Sequence, residues 1–356
     1  MTARVSPPHA TADRSAPILE MRGLGRDFTR KPVMAERVLS LMGRAPDIPV
    51  LKAVRSVDLS IRRGEVLGLV GESGCGKSTL GRMITGITPP TRGEVAYDGR
   101  PVSELDRAAR KAFILGVQMI FQDPYASLNP RQRVGAILTE PLRVHRRDLG
   151  AAEIRERVDS ALAEVGLDAS YRDRYPHEFS GGQRQRIGIA RALIVEPQFL
   201  VCDEPIAALD VSIQAQVINL FLDLRSRRQL TYLFISHDLS VVRYMADRVA
   251  IMYLGEIVEL APAAELFAAP AHPYTRTLLE QIPSVRNRKR KFEAVKGELP
   301  SPLAPPPGCP FHPRCPNAMP RCSLEAPRLR EIAPGRTAAC HLHDKDRNPH
   351  DTSHTS

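Results

Sequence analysis

The sequence predicts an α/β fold built on a mostly parallel sheet with crossover helices, and three observations carry that expectation. The first is Gly71-Glu72-Ser73-Gly74-Cys75-Gly76-Lys77-Ser78-Thr79, a G-x-x-x-x-G-K-[ST] motif between an apolar run and a helical period. The second is the order of the segments that follow. Apolar runs at Gln198–Asp203 and Tyr232–Ser236 flank a helical pattern from Ser212 to Leu224, the alternation of a parallel sheet. The third is composition: 356 residues with 43% hydrophobic side chains can bury a real core and exceed one average domain.

Taken in order, residues 1–17 are polar and Pro-containing. They are expected to be disordered and lack the apolar core of a secretory signal. Ile18 to Arg22 begin an alternating strand, with Phe28 in a polar turn after it. Residues 30–50 mix Pro, Gly and charge around Val38–Met42 and read as an insertion or loop. Val54, Val57, Leu59 and Ile61 alternate with polar residues up to the turn Arg62-Arg63-Gly64. Glu65 to Val70 form a short buried strand, and Leu80, Met83, Ile84 and Ile87 recur at helical spacing beyond the motif. Pro89 to Val95 turn into another strand, and the strand from Gly116 ends on Gln122 before Pro124.

From Pro130 to Tyr175 the pattern is helical. Ile154, Val158, Ala161, Leu162 and Val165 share one helix face that Gly166 stops. Ser180-Gly181-Gly182-Gln183 opens a further helix through Ile187, Ile189, Ala190, Ala192 and Leu193. Val249 to Val258 predict a closing antiparallel hairpin. Composition shifts after Pro283: a basic run, Arg286 to Lys291, reads as solvated linker, and residues 299–307 are too Pro-rich for regular structure.

The formal charge of +10 suits anionic partners, among which nucleotide, nucleic acid and anionic lipid all qualify. No apolar run approaches the roughly 18 to 20 residues of a transmembrane helix, so a cytoplasmic chain is expected and a membrane role would need partner subunits.

Chemistry concentrates at the motif. Its glycines let successive N–H groups converge on phosphate oxygens at a helix N-terminus; Lys77 reaches the β- and γ-phosphates, and Ser78 ligates Mg²⁺. Phe199-Leu200-Val201-Cys202-Asp203-Glu204 is an apolar strand ending in two carboxylates. Asp203 can hold Mg²⁺ and Glu204 can polarise an attacking water. Ser180 to Gln183 offers a second set of N–H groups and a hydroxyl. Alone this is an ordinary helix N-cap. As a phosphate reader it is redundant within one site and makes sense closing over nucleotide held by another subunit.

In this order the motifs resemble the ATP-binding subunits of ABC transporters, over about residues 18–265, with a helical subdomain at about 123–185. The resemblance implies the P-loop NTPase fold of that family: a mostly parallel core sheet, an antiparallel β subdomain and a helical subdomain. Ser180 to Gln183 match the family signature, with Phe179 where Leu is commoner. Gln122 matches the loop glutamine that senses Mg²⁺ and the membrane subunits. His237 matches the switch histidine that contacts γ-phosphate, and Phe28 the aromatic that stacks on adenine. Ala207 departs from the pattern by standing where the family's dimer-contact loop usually has Ser.

Ala271 to Leu279, the linker within 266–307 and Gly308 to Pro316 resemble the carboxyl-terminal extension of oligopeptide/dipeptide importer ATPases, some of which serve nickel or glutathione. A Cys-containing module is expected over 308–343 and a disordered tail over 344–356. Cys309, Cys315, Cys322 and Cys340 suit zinc or an iron–sulfur cluster, or remain free thiols or a disulfide; the resemblance favours [4Fe–4S]. It also implies ATP with Mg²⁺, a second ATPase subunit (a heterodimer before a homodimer), two permeases and an extracytoplasmic binding protein. The place implied is the cytoplasmic face of the cell membrane, with no nucleic-acid partner. The rivals are a soluble ABC ATPase acting on nucleic acid or ribosomes and a non-catalytic regulatory cassette.

Overall fold

A computed structural model describes residues 16–30, 49–207, 209–281, 298 and 300–344. The expectations for residues 1–15, for most of the 30–50 insertion, for the basic run and for the last twelve residues lie outside the described residues. Among the described residues no helix is long and apolar enough to cross a membrane.

Two sheets organise the chain. The smaller has the order β2-β1-β4-β5 and is antiparallel: β1 (Pro17–Thr29), β2 (Val50–Arg62), β4 (Arg92–Tyr97) and β5 (Arg100–Pro101). The larger has the order β11-β12-β10-β9-β3-β8-β7-β6. Its parallel part comprises β9 (Arg248–Tyr253), β3 (Val66–Val70), β8 (Thr231–Ile235), β7 (Phe199–Asp203) and β6 (Val117–Ile120). The expected hairpin partner β10 (Glu256–Pro262) runs antiparallel to β9.

The apolar runs are continuous because both faces of the parallel strands are covered. Leu67, Leu69, Val201, Leu233, Ile235, Ala250 and Met252 face the antiparallel sheet, and α1 (Lys77–Ile84) adds Leu80, Met83 and Ile84 there. Their neighbours Val66, Val70, Leu200, Cys202, Tyr232, Phe234, Val249 and Ile251 face the second core. That core is closed by α4 (Val134–His145), α5 (Ala151–Glu164), α6 (Gly181–Leu193) and α7 (Val211–Arg228). Period-two alternation thus splits each strand between two cores.

Shorter helices complete the main body: α2 (Arg107–Gly116), α3 (Pro124–Ser127), α8 (Leu239–Met245), α9 (Ala263–Ala268) and α10 (Pro273–Glu280). Two local expectations are corrected. Phe28 lies in β1, paired with Leu51, because strand pairing carries β1 through the polar residues read as a turn. Ile87 lies beyond the end of α1 and is exposed, so its helical spacing is coincidental.

The cysteine module is stitched to the core sheet. β12 (Arg336–Ala338) pairs with β10 through Glu259↔Ala338 and Leu260↔Thr337, and β11 (Arg330–Ala333) follows at the edge. Phe311 is buried against Tyr253 and Tyr274, with ring centroids 5.4 Å from each.

Candidate active site

Four adjacent parallel strands, β3, β8, β7 and β6, end on one sheet edge, where open α/β folds place ligands. β3 leads into the phosphate loop, and β7 delivers Asp203 and Glu204. Beyond β8 lie Ser236 and His237, and beyond β6 lies Gln122.

The loop wraps tightly before α1. Gly76 holds φ at +108°, and a Cβ there would stand 2.2 Å from the Ala53 carbonyl oxygen, so no other residue fits. Lys77 is nearly fully buried, and its ammonium donates to the carbonyls of Gly71 (2.8 Å) and Glu72 (3.0 Å). The amine is thus held inside the loop, ready to exchange carbonyls for phosphate oxygens. Cys75 is buried beside it, and burial pushes its thiol up, so it stays an apolar filler.

Ser78 Oγ donates to Asp203 Oδ1 at 2.9 Å. Burial pushes the Asp203 carboxyl above its usual range, with the Ser78 hydroxyl opposing that shift. A cation beside it would supply the charge that burial penalises. Among the described residues no three His, Cys, Asp or Glu side chains form a metal-holding group. The Ser78 hydroxyl and the Asp203 carboxylate are the donors a Mg²⁺ site of this kind uses, since Mg²⁺ takes its remaining ligands from substrate phosphates and water.

Glu204 is the hub of the remaining polar groups. Its Oε2 accepts from Gln122 Nε2 at 3.0 Å and lies 3.1 Å from His237 Nδ1. Its backbone is in the left-handed region at φ +44°, an unusual conformation for a side-chain-bearing residue, and its N–H donates to the Ile235 carbonyl at 3.0 Å. The strand end is therefore bent so that Asp203 faces Ser78 while Glu204 faces Gln122 and His237. The structure places the Gln122 amide on Glu204 rather than on the Ser78–Asp203 pair.

The Ser180 turn is built as an N-cap with a full capping box. Ser180 Oγ accepts from Gln183 N (3.3 Å), and Gln183 Oε1 accepts from Ser180 N (3.0 Å). Ser180 is exposed, and none of the turn's described hydrogen bonds reaches the phosphate loop. Gly182 packs so closely that a Cβ would meet Ile213 Cγ2 at 2.4 Å. Just inside α6, the Arg184 guanidinium stacks 3.6 Å over the Tyr125 ring, linking this helix to the segment after Gln122. Phe28 is 38% exposed beneath the Arg26 guanidinium, 4.8 Å from its ring centroid. Ala207 is exposed.

The four carboxyl-terminal cysteines form no disulfide, with Cys309 and Cys322 buried and Cys315 and Cys340 half-buried. Burial first, and then mutual repulsion of their thiolates, push Cys309 and Cys340 up to about 11. The thiols share one neighbourhood, yet no metal-holding group is present among the described residues, so the expected iron–sulfur cluster finds no support in this geometry.

Two residues at this site escaped sequence reasoning. Tyr274 Oη accepts from the Glu72 N–H at 2.9 Å, and Arg314 forms a bidentate ion pair with the Glu72 carboxylate. Both lie in stretches singled out for their resemblance, but no local pattern ties residues so distant to the phosphate loop.

Comparison with known proteins agrees with this geometry. The family model described as ABC transporter matches residues 54–207, and that described as oligopeptide/dipeptide transporter, C-terminal region, matches 258–322. The oligopeptide transport ATP-binding protein AppF of Bacillus subtilis is 49% identical over 94% of this chain and 99% of its own. The dipeptide transport ATP-binding protein DppF of Haemophilus influenzae is 49% identical over 82% of this chain and 89% of its own. Among solved structures, the dimeric ATP-binding cassette MJ0796 bound to ADP and Pi aligns with TM-score 0.58 at 26% identity, covering 69% of this chain and 98% of that one. CbiO1 from Clostridium perfringens, part of the ABC transporter complex cbiONQ, aligns with TM-score 0.57 at 27% identity, covering 71% and 91%.

Proposed function

This chain belongs to the ATP-binding subunits of ABC transporters, in their oligopeptide/dipeptide branch, and from that premise we propose that it is the ATPase of an importer for peptides or a related small solute. The observation that carries the mechanism is the division of labour at the sheet edge. Lys77, Ser78 and Asp203 form one polar group suited to Mg²⁺ and phosphates, and Gln122, Glu204 and His237 form another suited to a water.

ATP binds with its phosphates in the loop Gly71 to Thr79, and Phe28 offers its exposed ring to the adenine. Ser78 and Asp203 would hold Mg²⁺, which would offset the charge of the phosphates, while Gln122 holds the Glu204 carboxylate. Glu204 polarises the attacking water, and His237, beside the same carboxylate, contacts the γ-phosphate. The Ser180–Gln183 turn, exposed at Ser180, completes the site of a second ATPase subunit, so two chains enclose two nucleotides. The dimer of the similar cassette MJ0796 supports that arrangement. The second chain is a different ATPase in the first instance, with Ala207 weakening the hydroxyl contacts across the interface.

Closure on ATP pulls on two membrane permeases docked in the groove between Gln122 and the helical region 125–175, and a separate extracytoplasmic binding protein selects the cargo. The protein then sits peripherally on the cytoplasmic face of the membrane. The peptide-transport names of its relatives favour this reading over a nucleic-acid ATPase. Co-expression with its permeases tests it: ATPase activity in washed membranes that rises with the loaded binding protein supports import. Activity indifferent to permeases but dependent on nucleic acid would remove it. The iron–sulfur reading of Cys309, Cys315, Cys322 and Cys340 rests on the resemblance alone. Iron and acid-labile sulfide in anaerobically purified protein would carry it, and a folded iron-free preparation would end it.

A further inference from the structure

Glu72 enters the sequence argument only as one of the backbone units of the phosphate cradle. Its side chain is tied to the far end of the chain. Arg314, 242 positions later, sets Nη1 2.9 Å from Glu72 Oε2 and Nη2 2.9 Å from Oε1, fork to fork. The Arg314 side chain is 6% exposed and that of Glu72 23%. Arg314 Nη1 also lies 3.4 Å from the Tyr253 hydroxyl, and its Nε is buried without a partner, so Glu72 is the main compensation for a buried cation.

The rest of Glu72 is held as firmly. Its N–H donates to Tyr274 Oη at 2.9 Å, and its carbonyl receives Lys77 Nζ at 3.0 Å. With the Cys75 N–H also donating to that carbonyl at 3.3 Å, two of the four holds on this loop residue come from residues after position 270. The charge argument points the same way. A loop that must receive a polyphosphate carries a carboxylate, which by itself repels the incoming anion. A bidentate guanidinium cancels that charge and fixes the carboxylate plane, which a lysine ammonium does less well.

We propose that Arg314 is a positioning residue for ATP binding: from the carboxyl-terminal module it neutralises Glu72 and holds the phosphate loop in its receptive form. The module thereby becomes part of the nucleotide site rather than an appendage to it. The hydrogen-bonded strand β12 and the packing of Phe311 on Tyr253 and Tyr274 keep Arg314 at the correct depth. This inference rests on the reading of residues 71–79 as the ATP site.

The test titrates a fluorescent ATP analogue against the full chain as wild type, Arg314→Ala, Glu72→Gln and the double variant. Lys77→Ala serves as the control for the site, and thermal unfolding without nucleotide as the control for folding. Arg314→Ala should bind about tenfold more weakly, because it strands a carboxylate beside the phosphates. Glu72→Gln is read on the Arg314→Ala background, where it removes the stranded carboxylate and should recover most of the loss. A brace acting through packing alone gives a loss that persists in the double variant. That result overturns the proposal, as does Arg314→Ala binding within about twofold of wild type. Should Arg314→Ala fail to fold, Arg314→Lys takes its place, with a loss of about threefold that Glu72→Gln again removes; a loss that it leaves in place overturns the proposal as before. Unchanged binding by Lys77→Ala would instead count against the loop as the nucleotide site.

Discussion

Replacing Glu204 by Gln isolates the step assigned to its carboxylate. The amide keeps the size of the side chain and leaves the backbone at φ +44°, so the bend after Asp203 persists. It removes the negative charge and sets an NH₂ donor against the Gln122 amide, which now donates to Glu204 Oε2 at 3.0 Å. Losing one such hydrogen bond costs about 1 kcal/mol, too little to unfold the site. Loss of a general base or water-polarising group costs about 10²- to 10⁴-fold in rate, which is about 3–5 kcal/mol of barrier. Lys77 and Ser78 make no hydrogen bond to Glu204, so ATP affinity should stay within about threefold of wild type. Phosphate release under single-turnover conditions, beside equilibrium ATP binding, separates the two quantities. Turnover within about tenfold of wild type, with unchanged affinity, would refute the assignment of the water to Glu204.

Three further outcomes follow from the same geometry. Lys77→Ala removes two charge-assisted bonds within the loop and the cation meant for the phosphates; nucleotide affinity should fall by about two to three orders of magnitude, measured by calorimetry. Gly182→Ala forces a methyl against Ile213 Cγ2, 2.4 Å away; chemical unfolding should show a loss of about 1–3 kcal/mol, with turnover in the assembled dimer falling as the signature turn shifts. Acid stability should depend on His272, whose pKa desolvation, aided by the charge of His343, depresses to about 3. Its folded pKa lies below its unfolded value near 6.5, so the unfolded chain binds the extra proton and stability is lost as pH falls from 6.5 toward 3. The decline approaches about 1.4 kcal/mol per pH unit. His272→Asn keeps an N-cap acceptor for the Tyr274 N–H and should flatten that slope in urea titrations between pH 7 and 5; an unchanged slope would exclude His272 as its source.

Much of the fold was legible because its strands are unambiguous. Val66–Val70, Phe199–Asp203 and Thr231–Ile235 are apolar on both faces, and a parallel sheet covered on both sides demands that. Phe28 and Ile87 were misplaced for the complementary reason. The extent of β1 is set by pairing with β2, and the end of α1 by the turn at Thr85, and neither leaves a mark in local periodicity. The nucleotide motifs were legible because each sits at the end of an element whose type the sequence announces. That Gln122, Glu204 and His237 share a site was implied only by the resemblance, and the hydrogen bonds that join these three separate strand ends are written in no local stretch.

What the sequence determined alone is the chemistry offered at each strand end: a glycine cradle with Lys77 and Ser78, paired carboxylates at Asp203 and Glu204, and an N-capping turn at Ser180. Periodicity and turn chemistry act over a few residues, so these features follow from short stretches. Only the tertiary structure decided which groups answer one another. It gave Glu204 rather than Asp203 to Gln122, and it brought Arg314 across 242 positions to the carboxylate of Glu72. Such pairings depend on sheet order and on how a carboxyl-terminal strand docks at its edge. Those choices are made by the burial of whole faces at once, and no single stretch of the chain contains them.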